Sequence, residues 1–130
     1  MKIALAVYGP PYTSQASHSA LNFARAALAG GHEIYRLFFY HDGVYNANHL
    51  VQPPQDEVNI QAEWAALAQA HGIDLVVCVA SSLRRGMLDA TEANRYERSQ
   101  HAVTPPFHIS GLGQLIDAGI QADRLVTFGV

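Results

Sequence analysis

The run Leu75-Val76-Val77-Cys78-Val79 leaves few folds open to this chain. Apolar, mostly branched residues in unbroken sequence, with no polar alternation, make a strand covered on both faces. Strands of that kind belong to parallel sheets with helices on either side. The run carries the only cysteine in the chain and then turns polar, through Ser81, Ser82, Arg84, Arg85 and Gly86. A thiol near the end of a buried strand, beside a helix start and two cations, is where an α/β protein can place a reactive sulfur, because nearby positive charge and a helix N-terminus favour the thiolate. The same residues also fit an inert cysteine. Cys often behaves as a small hydrophobe, and apolar burial silences it. On the residues alone both readings stand.

The rest of the chain alternates strand-like and helix-like segments. Lys2–Tyr8 reads as a first strand, broken by Gly9-Pro10-Pro11-Tyr12. A short apolar N-terminal run can mimic a signal peptide, but no small-residue cleavage pattern follows it, so a strand is expected. Thr13 or Ser14 is expected to cap a helix reaching about Leu28, with Ala16, Ala20, Phe23, Ala24 and Ala27 at helical spacing and Gly30-Gly31 ending it. Glu33–Tyr40 is a second strand. His41–Leu50 mixes aromatics, amides and histidines just past that strand's end, where open α/β sheets collect ligands. Tyr45, Asn46 and Asn48 are therefore candidates for a pocket wall; the alternative is a turn and short helix whose asparagines satisfy local backbone.

Val51–Asp56 reads as a linker inside the domain. Asp56 to about Ala70 is expected to be helical, with Trp64 in the core, and Gly72 closes it. The third strand begins at Ile73 or Asp74. Helix can continue over Met87–Ala93, and Asn94–Pro106 is expected to be an exposed loop. Phe107–Gly111 holds a brief fourth strand, Ser110 a cap for a helix over Leu112–Ala118 that Gly119 ends, and Arg124–Phe128 the last strand. This order predicts one α/β domain over residues 1–130, a three-layer α/β/α sandwich with a mostly parallel five-stranded sheet.

Composition narrows the chemistry. Hydrophobic residues make up 49 % of the 130, enough for a sizeable core, and no apolar run is long enough to span a bilayer. One cysteine cannot form an internal disulfide, so a reducing cytoplasm is the expected location. The net charge of −3 argues against a broad nucleic-acid surface. The seven histidines show no paired ligand spacing and no second cysteine joins them, so no metal site is expected. The first strand–loop–helix lacks the Walker and dinucleotide glycine patterns, and Gly-x-Ser-x-Gly is missing. A Cys–His hydrolase would need a histidine near Cys78 in space, which sequence cannot show. A sulfur carrier needs less: an accessible thiolate, nearby cations or amide donors, and a surface for a partner's cysteine.

Four segments sharpen this reading: Ile3–Pro10, Phe38–Asn48, Cys78–Gly86 and Ser110–Leu115. Together they resemble the DsrE-like sulfurtransferase family over nearly the whole chain. Gly43-Val44-Tyr45-Asn46-Ala47-Asn48 and Cys78…Leu83-Arg84-Arg85-Gly86 are the specific parts, and Arg95–Pro106 matches no motif. The resemblance implies that Cys78 carries persulfide sulfur, with no cofactor. It also implies a heterohexamer with TusB-like and TusC-like subunits, a TusA-like donor, a TusE-like acceptor, and a relay towards 2-thiouridine at the tRNA wobble position. Related members act in sulfur oxidation, so the pathway stays open, as does a scaffold or small-ligand module in which Cys78 only packs. Ser81, Ser82, Arg84 and Arg85 are candidates to stabilise a thiolate. The aromatics Tyr35, Phe38, Phe39, Tyr40 and Tyr45 crowd one strand and its exit, and are expected to leave apolar surface for association.

Overall fold

The computed structural model describes residues 1–130. Five strands form one sheet: β1 (Lys2–Val7), β2 (Glu33–Phe39), β3 (Asp74–Cys78), β4 (Phe107–Ser110) and β5 (Arg124–Phe128). Their order is β4-β3-β2-β1-β5, and every neighbouring pair is parallel, so the sheet is wholly rather than mostly parallel. Helices α1 (Ala16–Ala29) and α2 (Ile60–His71) cover one face, where Ala20, Leu21, Ala24, Ile60, Trp64 and Ala68 pack against Leu5, Val7, Leu37, Phe39, Leu75 and Val77. The small residues of α1 recur at helical spacing and let that helix lie close to the sheet. Helix α5 (Gly113–Gln121) covers the other face, completing the three layers.

The expected elements are present, and several boundaries move. Helix α1 begins two residues after Ser14 with no side-chain cap; the Ser14 hydroxyl instead donates to the Pro10 carbonyl and shapes the loop. Helix α2 starts at Ile60 rather than Asp56, because Asn59 supplies the cap by accepting the Ala62 N–H. Met87–Ala93 is not one helix. A short α3 (Val79–Arg84) ends before Gly86, whose φ is +73°, and Asp89 caps a separate α4 (Ala90–Arg95). The stretch from 95 to 106 is exposed over its first part only. Ala102 and Val103 are buried, and both donate N–H groups to the Leu88 carbonyl. Ser110 does not cap α5, which starts after Leu112 and runs through Gly119.

Two polar networks tie the layers together. In the first, Tyr35 is an extra residue in β2, since Ile3 pairs with Ile34 while Ala4 pairs with Arg36. The bulge lets both Tyr35 and Arg36 reach α5. Arg36 bonds Asp74 at 2.6 Å, Asp117 at 2.8 Å and the Gln114 carbonyl at 2.8 Å, and Tyr35 donates to Asp117 at 2.8 Å. His108 reaches the other oxygen of Asp74 at 2.6 Å. In the second, Asn46 is fully buried. Its amide donates to the Ser17 hydroxyl and the Gly43 carbonyl, and its oxygen accepts the Trp64 indole N–H.

Burial works against ionisation of Asp74, but hydrogen bonds from Arg36 and His108 outweigh it and hold the carboxyl below its ordinary value. A carboxyl depressed by folding contributes stability above its unfolded value, near pH 4, and loses it as pH falls through the folded one. Urea midpoints from about pH 5 downward should therefore decline less steeply in Asp74→Asn than in the wild type; identical slopes would assign the acid loss elsewhere. Asn46→Ala removes three buried hydrogen bonds and leaves the Trp64 indole N–H without its acceptor, while the Ser17 hydroxyl keeps its bond to the Gly9 carbonyl; the change should cost about 3 kcal/mol by chemical denaturation. A loss within about 0.5 kcal/mol, the scale of a neutral surface change, would show that water replaces the amide.

Candidate functional site

Cys78 is the last residue of β3 and precedes the first turn of α3. Opposite it in register on β4 is Ser110. The chain leaving β3 returns Met87, Ala102 and Val103 to the larger core cluster, whereas the chain leaving β4 becomes α5 on the opposite face. Ligands of open α/β sheets bind at such a divergence, outside the carboxyl ends of the strands. The position of Cys78 is thus set by topology. Its side chain joins Phe38 and Val76 in a small apolar cluster on the α5 face, with Tyr40 and Leu115 packed against it, and the residue is 1 % exposed.

The first turn of α3 is tied to the exit of β2. Ser81 accepts the His41 backbone N–H at 3.0 Å. Arg85 reaches back to Asp42 at 2.8 Å and to the Ser81 carbonyl at 3.1 Å. Ser82 is fully buried, and its hydroxyl has no hydrogen-bond partner. Arg84 points to solvent. Ser81 and Ser82 thus sit buried in the turn that directly follows Cys78, Arg85 is half-buried just past the helix, and Arg84 is exposed.

The candidate wall residues divide. Tyr45 and Asn48 line an open hollow of about 410 Å³ with Pro10, Pro11, Asp42 and Val51, and Cys78 is not part of its lining. Asn46 is inside the core. The 3-10 helix that carries them (His41–Ala47) sits hard against the end of β1: a Cβ on Gly43 would lie 2.0 Å from the Val7 carbonyl oxygen. Only glycine fits there, which explains Gly43 in the motif. No group of three or more His, Cys, Asp or Glu side chains gathers as a metal would require, and no helix is long and apolar enough to cross a membrane.

Sequence reasoning gave Tyr40 to an association surface and Ser110 to a helix cap, and assigned neither to the Cys78 site. Phe38 pairs with Val76 and Phe39 with Val77, so Tyr40 continues the register to the level of Cys78 on the same face. The rings of Tyr8, Tyr40 and His41 gather there, with centroids 5.2 Å apart for Tyr8–Tyr40 and 4.0 Å for Tyr40–His41. The alternation of β2 held the signal, but it becomes readable only once the β2–β3 register is known.

Comparison with known proteins agrees with this arrangement. The model of the DsrE/DsrF-like family matches residues 1–128. A protein of Allochromatium vinosum named for DsrE is 55 % identical over 129 residues, covering 99 % of each chain. The sulfurtransferase TusD homolog of Pseudomonas aeruginosa is 53 % identical over 129 residues, covering 99 % of this chain and 98 % of its own. Sulfurtransferase TusD of Salmonella typhi is 47 % identical over 128 residues, covering 98 % of this chain and 100 % of its own. The crystal structure of the ychN protein from E. coli superposes with a TM-score of 0.78 over 98 % of this chain and 99 % of that one, at 23 % identity, and so shares the fold. With the match running through every strand and through the Cys78 segment, the chain belongs to the DsrE/DsrF-like family.

Proposed function

We propose that this sulfurtransferase carries sulfane sulfur on Cys78 between two partner proteins. The observation that carries the reading is the placement of the sole thiol at the carboxyl end of β3, at the sheet's point of divergence, in a chain whose full-length relatives are named sulfurtransferases. The step is a thiol exchange. The Cys78 thiolate attacks the outer sulfur of a donor persulfide. The donor's S–S bond breaks, a new S–S bond forms on Cys78, and the donor leaves as a thiolate. Transfer to the acceptor's cysteine repeats the step, with no net oxidation and no cofactor. Ser81, Ser82 and Arg85, in and just past the helix that follows Cys78, are the groups we assign to holding the anion. Arg84, in solvent, is placed to meet an incoming protein.

The names of the TusD relatives support sulfur transfer itself; for its setting we propose what the family resemblance implies, a relay in the cytoplasm towards 2-thiouridine in tRNA, with TusB-like and TusC-like subunits in a heterohexamer, a TusA-like donor and a TusE-like acceptor. The 55 % identity to the DsrE protein of Allochromatium, beside 53 % to the Pseudomonas TusD homolog, keeps a second reading open, a DsrE-type subunit of a sulfur-oxidation pathway with the same cysteine chemistry. The basis for association differs in part from the expectation. Phe38 and Phe39 fit fully into the two cores, one on each face of the sheet, and of the five aromatics only Tyr45 is exposed, while further exposed apolar surface lies at Leu112, at Ile116 and Ile120 on α5 and at Leu125 on β5. A partner subunit covering Ile116 and Ile120, 64 % and 74 % exposed, would remove the largest of it from water.

Intact-mass analysis after exposure to a small persulfide donor should show the gain of one sulfur atom in the wild type and none in a folded Cys78→Ser protein, with Arg84→Gln retaining uptake from the small donor. Sulfur transfer through an assembly containing Cys78→Ser would place the carrier thiol on another subunit. In light scattering, the chain mixed with TusB-like and TusC-like subunits should form a single larger species that Ile116→Glu/Ile120→Glu disrupts. A monomer unchanged by those partners would end the assembly reading.

A further inference from the structure

Thiol exchange needs the two sulfurs in direct contact, yet Cys78 is 1 % exposed. Something over it must move. Two partly buried apolar side chains pack against its cluster, Leu115 from α5 and Tyr40 from the end of β2. They differ in how they are held. Leu115 lies between Gln114 and Asp117, both bonded by Arg36, so its helix is clamped to the sheet at that point. Tyr40 is the residue between β2 and the 3-10 helix. Its N–H is bonded to the Val7 carbonyl at 3.0 Å, but its side chain makes no hydrogen bond and is held by packing alone, against the rings of Tyr8, Phe38 and His41 and against the Cys78 cluster.

The next residue, His41, has φ of +50°, a left-handed conformation that costs free energy for any residue with a Cβ and persists only where its surroundings enforce it. Here the enforcing contact comes from the α3 turn that follows Cys78, through Ser81 and the His41 N–H. The chain thus has a strained joint directly beside the ring that stands level with the thiol.

Resting on the reading of Cys78 as the sulfur carrier, we propose that Tyr40 is the shutter over Cys78, and that its ring swings off the Phe38–Val76–Cys78 cluster at the His41 joint to admit a partner's sulfur. Such an opening is local, confined to one side chain and the turn that carries it, while α5 stays seated.

The test is the rate of Cys78 alkylation at fixed pH by a small neutral reagent, in the wild type, Tyr40→Ala, Tyr40→Phe and Leu115→Ala. Local opening predicts a slow wild-type rate that does not change with urea below the unfolding transition. Tyr40→Ala should react about tenfold faster or more, Tyr40→Phe within about twofold of wild type, and Leu115→Ala more slowly than Tyr40→Ala. If Tyr40→Ala does not fold, Tyr40→Leu takes its place under the same threshold. Wild-type labelling that follows global unfolding overturns the proposal. So does a Tyr40 variant no faster than wild type, or a Leu115→Ala rate equal to or above it. Labelling reads access and sulfur uptake reads chemistry. Tyr40-gated labelling without uptake would sink the carrier reading alone, and ungated labelling with normal uptake would sink the shutter alone.

Discussion

Arg36 holds the second face of this protein together. Helix α5 fully buries a single residue, Ala118, and turns Ile116 and Ile120 to solvent, so apolar burial alone gives it a weak hold on the sheet. Arg36 supplies the rest. Its guanidinium, in a residue only 9 % exposed, spans the Asp74 carboxylate on β3, the Asp117 carboxylate on α5 and the Gln114 carbonyl. Exposed ion pairs contribute little, but a shielded arginine with several well-aligned acceptors is another matter. Its charge would be costly to leave unpaired, and its planar fork fixes geometry as well as energy. The extra residue in β2 makes this reachable by letting Tyr35 and Arg36 both meet α5.

The functional end of the sheet depends on that clamp. Cys78 lies about four residues along β3 from Asp74, beneath the same helix, in a cluster closed by Leu115 and Tyr40. With α5 seated, Cys78 is shielded from solvent and only 1 % exposed. The corner above it is built by contacts between neighbouring strands' exits. Ser81 holds His41, Arg85 holds Asp42, and Gly43 allows the turn to press on the end of β1. The sequence motif from Phe38 to Asn48 is thus a structural corner as much as a binding surface. Its most buried polar member, Asn46, directs both amide donors and its oxygen inward, to Ser17, Gly43 and Trp64.

Much of this was readable in the chain. Unbroken apolar strands alternating with helical spacing require a parallel sheet with helices on both faces, since each strand must be covered twice and each connection must cross over. The lone cysteine at a strand's end, and the family resemblance carried by its segment and by the Gly43–Asn48 segment, were present in one dimension. Local chemistry misled at helix starts. Ser14 and Ser110 look like caps, but a local bond turns the first to the Pro10 carbonyl four residues back, and strand pairing takes the second. Ala102 and Val103 sit in a polar stretch, and only their bonds to Leu88 fold them into the core.

By itself the sequence determined the fold class, through periodicity, and the one residue that can bear sulfur, through a unique thiol, while the family showed in the resemblance of the Gly43–Asn48 and Cys78–Gly86 segments. Only the tertiary structure decided what surrounds that thiol. Strand register set Tyr40 and Ser110 at the level of Cys78, and helical phase separated Arg84 from Arg85. The Asp42 carboxylate, brought near by the packing of the 3-10 helix, took up Arg85. Register and packing join residues tens of positions apart, and no local pattern encodes which of them will meet.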